Sequence, residues 1–202
     1  AIAALDVDVL LSHLVSAEED VPLNDRQRIG WEEAKRALPH RRSSLANSAG
    51  IALGPAYHGE LTRPGLSLYG GIQRDAFAGR IAQVARPMAA ILQVRQVAAG
   101  DTLGYNATFT ADRPMRVGTI ALGYADGYLR CWSGKGAMLS GGRRLPVLGR
   151  VSMDLTIIDL SAAPDLREGD WVEVAYSPVE AAARSGLSQY EIFTLLGDRF
   201  AR

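Results

Sequence analysis

Lysine is almost missing from this sequence: Lys35 and Lys135 stand against 22 basic residues in all. Chemistry that needs an amine nucleophile therefore has two candidates, because the other basic side chains are arginines, which stay protonated. Cysteine is rarer still. Cys131 is alone, so no intrachain disulfide can form, a usage that fits a reducing compartment such as the cytoplasm. No apolar stretch reaches about 18 residues, which excludes a transmembrane helix. Neither sign of charge is in excess, with 22 basic and 22 acidic residues. The adjacent arginine pairs, Arg41-Arg42 and Arg143-Arg144, are too short to follow a nucleic-acid backbone, so no nucleic-acid partner is expected. The start, Ala1 to Asp8, lacks a basic region, a continuous apolar run and Met. It reads as a chain that opens within a strand, as a fragment or processed piece does.

What is present is a globular composition, 48 % hydrophobic and 22 % charged. The first 85 residues alternate. Asp6 to Leu14 reads as a buried strand ending in Ser-His. An acidic loop from Ser16 to Leu23 follows. Asn24 can cap a helix from Asp25 to Leu38, with Asp25 in its first turn, Lys35 and Arg36 in its last, and Pro39 as its stop. Ser43 to Ala49 reads as a short strand, Gly50-Ile51 as a turn or short helix, and Leu66 to Tyr69 as another short strand. Strand, helix, strand is the signature of βα units.

The pattern changes at Ala85-Arg86-Pro87. Short strands are predicted at Met88 to Val97, Arg116 to Leu122, Ala137 to Leu139, Leu145 to Val147, Leu155 to Leu160 and Trp171 to Ala175. Gly-containing turns separate them, a pattern that suggests a β-barrel or sandwich. A helix is predicted from Ser177 to Leu196, with Ser188 to Phe193 leaving it before the end. The fold class is thus α/β plus β, divided as 1–85 and 86–202.

Four segments can carry chemistry. In Leu45 to Gly50 a strand ends in the hydroxyl of Ser48, which suits a phosphate or a plain helix cap. In Arg63 to Gly70 the glycines let backbone amides approach an anion. In Gly123 to Tyr128, Tyr124 lies between Gly and Ala and has few apolar neighbours. Its phenol can donate or accept a proton, which near neutrality needs help from a cation or hydrogen bonds. The alternative is a turn tyrosine with a structural hydrogen bond. Gly149 to Asp154 reads as a strand followed by a loop.

Taken together, in this order and at these separations, the four segments resemble the alanine racemase family. Leu11-Ser12-His13-Leu14 and Ser188-Gln189-Tyr190-Glu191 extend the resemblance over nearly the whole chain. It implies the C-terminal part of a TIM-like α/β barrel (residues 1–85) followed by a mostly β, barrel-like domain (86–202). It also implies a bacterial isomerase that interconverts L- and D-alanine with pyridoxal 5'-phosphate (PLP), as in peptidoglycan precursor supply, and works as a cytoplasmic homodimer with shared sites. Two bases face opposite sides of the substrate Cα, Tyr124 being one and acting across the subunit boundary. Arg63 matches the arginine at the pyridine nitrogen. Ser48, Gly65, Leu66 and Tyr190 match the phosphate cradle. His13 matches a histidine beside the ring, its alternative being a buried strand-end histidine. Met153 matches a residue at the substrate carboxylate.

Two departures stand out. Ser44 occupies a position where many members have histidine. The family's cofactor lysine has no counterpart: Lys35 lies on the exposed side of the predicted helix and Lys135 in a Gly-flanked turn, so both read as surface lysines. The expectation is that catalysis requires a separate or cleaved N-terminal segment bearing the lysine. The alternatives are a non-catalytic dimerisation or regulatory module of the same family, or a decarboxylase of the same architecture, whose Gly-Gly-Gly and Cys-Asp-Ser-type segments are not seen.

Overall fold

The computed structural model describes residues 5–200. Ala1 to Ala4, where the chain is expected to open within a strand, lie outside them. The chain divides into two compact units, one up to Val84 and one from Ala85 onward.

In the first unit, β1 (Val9–Leu11) pairs in parallel with β2 (Arg42–Ser44). Both are shorter than predicted, β1 ending before Ser12 and β2 before Leu45. Between them runs α1 (Pro22–Ala37). It starts earlier than the Asn24 cap predicts. Pro22 takes the first helical position, where its missing N–H costs nothing and its φ is already helical. Asn24 is instead buried inside the first turn and donates to the carbonyls of Ser16 and Glu19. Leu38 and Pro39 end the helix as expected, Leu38 being the extended C-cap. α1 buries Trp31 against Leu14, Leu45, Ala49 and Tyr57. Each such apolar side chain stabilises the fold by about 1.5–3 kcal/mol. α2 (Ser48–Ala52) follows β2 with Asn47 as its N-cap, whose Oδ1 accepts from Gly50 N–H at 2.8 Å. Leu66–Tyr69 is a 3-10 turn and not a strand. Gly70, at φ 94°, closes it by donating back to Leu66 and Ser67, a conformation that glycine adopts without strain.

The second unit is a closed antiparallel barrel in the order β10-β3-β6-β9-β8-β7. Its strands are β3 (Met88–Val97), β6 (Met115–Ile120), β7 (Ala137–Ser140), β8 (Arg143–Leu148), β9 (Thr156–Asp159) and β10 (Trp171–Val174). All six match predicted strands to within a few residues. The hairpin β4 (Thr102–Leu103) with β5 (Phe109–Thr110) was not foreseen. Two residues per strand are too few for a visible alternation. Ile91, Ile120, Leu122, Met138, Leu145 and Ile158 fill the barrel interior. Closure removes the free edges that an open sheet would expose.

The predicted C-terminal helix is two helices, α3 (Pro178–Ser185) and α4 (Gln189–Thr194). Gly186 ends the first in the left-handed region. Ser188 and Glu191 start the second as a reciprocal cap, each side chain bonding the other residue's N–H. Ser188 to Phe193 is therefore helix entry, contrary to the prediction that the chain leaves the helix there. Among the described residues, no helix is long and apolar enough to cross a membrane.

Candidate functional site

The first unit gathers its polar groups where β1 and β2 end. Ser12 N–H donates to Ser44 O at 3.0 Å, which carries the parallel ladder one step beyond β1. Arg63 N–H donates to Ala46 O at 2.9 Å, and Asn47 bridges Arg63 in parallel. Backbone bonds thus set three chain segments side by side before any side chain acts.

The Arg63 guanidinium spreads over their ends. Nη1 donates to Ser44 Oγ at 2.6 Å; Nη2 donates to Ser12 O at 2.8 Å and Leu45 O at 3.3 Å. His13 Nδ1 lies 3.3 Å from the same Nη2. Every one of these partners is neutral or a ring nitrogen, so among the described residues no carboxylate pairs with the charge. Burial lowers the Arg63 pKa from its ordinary value, yet a guanidinium keeps its proton near neutrality. The group is a fixed cation whose donors are oriented by backbone carbonyls.

His13 is exposed, which sets aside the buried strand-end reading. Its backbone is held from α1. Gln27 Nε2 donates to His13 O at 3.2 Å, and Gln27 Oε1 accepts from Val15 N–H at 3.0 Å.

A second cluster forms around Ser48, which is 1 % exposed. Its Oγ accepts from Gly65 N–H at 2.9 Å and from Ser67 N–H at 3.3 Å. Both of its acceptor positions are used, so the hydroxyl proton points elsewhere. Ser67 Oγ is buried without a hydrogen-bond partner. Leu66 buries its side chain, which fixes the turn. Space is open where a Cβ on Gly65 would stand.

Tyr124 lies in the second unit, on the 3-10 turn Tyr124–Asp126 that follows β6. Its N–H donates to Ser152 O at 3.0 Å, and Ala125 N–H donates to Met153 O at 2.9 Å. A Cβ on Gly123 would overlap the Met153 carbonyl, so only glycine lets the two turns approach this closely. The turns that carry Tyr124 and Met153 are therefore joined by backbone. Among the described residues, Met153 N–H has no hydrogen-bond acceptor. Arg130 stands with its guanidinium carbon 4.9 Å from the Tyr124 ring centroid, within cation–π range. Tyr190 occupies the first turn of α4 and is 42 % exposed.

Neither lysine enters these clusters. Lys35 is half-buried, not on an exposed face: it packs 4.3 Å over the Trp31 ring and pairs with Glu32 at 3.3 Å. Lys135 is exposed in its turn.

Sequence reasoning missed several supporting residues. Asn47 precedes a short helix and Asp126 sits three residues after Gly123, both spacings that signal a cap. Gln27, Arg130 and Arg199 have no local signal, because their roles depend on tertiary packing.

The architecture is the C-terminal part of a TIM-like (β/α) barrel, with polar groups at its strand ends, followed by a barrel-like β domain. Comparison with known proteins gives the family. Residues 1–73 match the alanine racemase N-terminal domain and residues 84–202 the alanine racemase C-terminal domain. The chain belongs to the alanine racemase family. It is 44 % identical to an alanine racemase of Methylobacterium nodulans, covering 100 % of this chain and 56 % of that protein. It is 42 % identical to a catabolic alanine racemase of Mesorhizobium japonicum, covering 100 % and 54 %. The crystal structure of alanine racemase from Bartonella henselae with covalently bound pyridoxal phosphate superposes with a TM-score of 0.83 at 34 % identity, over 96 % of this chain and 56 % of that one. The chain thus spans about half the length of the relatives it matches.

Proposed function

We propose that this chain supplies the arginine, phosphate-cradle and tyrosine-base parts of a PLP-dependent racemase acting on L- and D-alanine. The observation that carries the reading is the Arg63 cluster, a guanidinium held only by neutral acceptors and His13 at the strand ends.

The residues present fit PLP. A phosphate needs several short donors at one point. The Ser48 hydroxyl proton, the Leu66 amide and the unpartnered Ser67 hydroxyl meet that need, with space open beside Gly65, whose own N–H is given to Ser48. By the resemblance alone, Tyr190 of the second unit is assigned a phosphate contact. Arg63 suits a pyridine nitrogen, since it can donate a hydrogen bond there without giving up its proton. His13 is assigned beside the ring. When bound, PLP is the sink that makes an α-proton of an amino acid removable.

The chain's own residues then do the following. Met153 N–H, aimed at no protein acceptor, holds the substrate carboxylate. Tyr124, tied to the same pair of turns, moves the proton on one face of Cα. The opposite face requires a lysine; Lys35 is engaged by Trp31 and Glu32, and in the resemblance neither it nor Lys135 matches the cofactor lysine. We assign that base to a segment outside this chain, with the sites shared in a cytoplasmic homodimer. A non-catalytic dimerisation or regulatory module is the second reading.

The test uses the full-length protein. Because L- and D-alanine are equal in free energy, loss of one base lowers racemisation equally in both directions. The side-specific readout is exchange of the α-hydrogen with deuterated water. Tyr124→Phe is expected to stop exchange from L-alanine while exchange from D-alanine continues. Equal exchange from both enantiomers removes Tyr124 from its role. A full-length protein that neither racemises alanine nor binds PLP favours the module.

A further inference from the structure

The C-terminal tail reaches back to the two turns just described. Arg199 Nε lies 3.1 Å from Asp126 Oδ1, and Arg199 Nη1 lies 2.7 Å from Asp154 Oδ1. The other oxygen of Asp126, Oδ2, accepts from Gly123 N–H at 2.8 Å and so caps the Tyr124 turn. Asp154 directly follows Met153. One guanidinium therefore spans the carboxylate that shapes the Tyr124 turn and the carboxylate next to Met153.

The tail is seated for this. A Cβ on Gly127 would meet Leu195 O, so the end of α4 packs on the C-terminal end of the Tyr124 turn. Phe200 packs against the barrel core. Arg199 is thus held between two anchored residues. The two carboxylates are unequally placed: the Asp126 side chain is 10 % exposed and that of Asp154 is 51 %. The buried partner fixes the guanidinium, and the exposed one is drawn to it.

We propose that Arg199 is a positioning residue that locks the Tyr124 turn to the Met153 turn, fixing the distance between the tyrosine base and the substrate-carboxylate donor. Arg199 touches neither substrate nor cofactor; it acts through Asp126 and Asp154. The proposal rests on the racemase reading for its catalytic consequence and on the ion pairs alone for its structural one. The backbone bonds between the turns hold them at two points, and Arg199 adds a third on the tail side. Three points fix an orientation where two allow a hinge.

The experiment compares Arg199→Gln and Arg199→Lys with wild type in the full-length protein, by amide hydrogen exchange and by steady-state racemisation. Arg199→Gln is expected to speed exchange across Gly123–Tyr128 and around Met153, leaving β6 and β9 protected. It is also expected to lower kcat/KM by about fivefold or more through both kcat and KM, a size typical of coupled contacts. Arg199→Lys keeps the charge but not the fork, and recovers part of the loss. In an Asp154→Asn background, Arg199→Gln adds less than it does alone. Unchanged exchange at the turns, or loosened turns with unchanged kcat and KM, overturns the proposal. If wild type does not racemise alanine, the functional reading falls, and the exchange comparison alone decides whether Arg199 joins the turns.

Discussion

Arg63 Nη1 donates to Ser44 Oγ over 2.6 Å, so a serine hydroxyl makes the direct contact at the end of β2. The hydroxyl is neutral and has one donor and two acceptor positions. It accepts from Arg63 without adding a second titrating group to the cluster. Where family members carry histidine at this position, as the resemblance implies, a ring that titrates near neutrality would stand there instead.

Ser44→Ala leaves Nη1 of a half-buried guanidinium without its partner. The expected cost is about 1–2 kcal/mol. A thermal melt of the variant checks it, and an unchanged midpoint would mean that water replaces the serine at no cost.

Gly123→Ala drives a methyl group into the Met153 carbonyl. The backbone at Gly123 is extended, at φ −151°, so the difficulty is space and not conformation. Overpacking of this kind costs about 1–3 kcal/mol, and here it also separates the two turns. Racemisation should fall further than stability. Equal losses in melting and in kcat/KM would show that the close approach serves folding alone.

Glu60 accepts from both the hydroxyl and the N–H of Ser43, at 2.7 Å each. These bonds, the Ser43 hydroxyl first, hold its pKa at about 2 against an ordinary 4.5. A depressed carboxylate stabilises the fold above its unfolded-state pKa and loses that contribution as pH falls through the folded value. The loss is therefore expected between pH 4.5 and about 2. Glu60→Gln should be less stable than wild type at neutral pH and should flatten the acid limb of a denaturation series. A limb as steep as wild type would assign the acid sensitivity to other carboxylates, Asp165 first, which Arg143 also holds at about 2.

The barrel strands are legible because six short apolar segments sit between glycine-containing turns. The β4–β5 hairpin left no such trace. Leu66 to Tyr69 misled because an apolar run of four fits a strand or a turn equally; the deciding residue is Gly70, whose positive φ is not visible in the sequence. Tyr124 and Arg63 are reached through motif resemblance, whereas the caps Asn47 and Asp126 are missed although their spacing signals them. Arg199 and Gln27 carry no such signal, since each acts on residues far away in the chain.

Gln27 joins the second turn of α1 to the two peptide groups flanking Leu14. That bond pair merges pieces of structure that sequence order keeps apart. The segment bearing His13 is thus held from α1 as well as from the strand side, where Ser12 bonds Ser44 and Arg63, so loosening of either support reaches His13. A surface substitution that frays α1, far from any cofactor, would then be felt as disorder at His13.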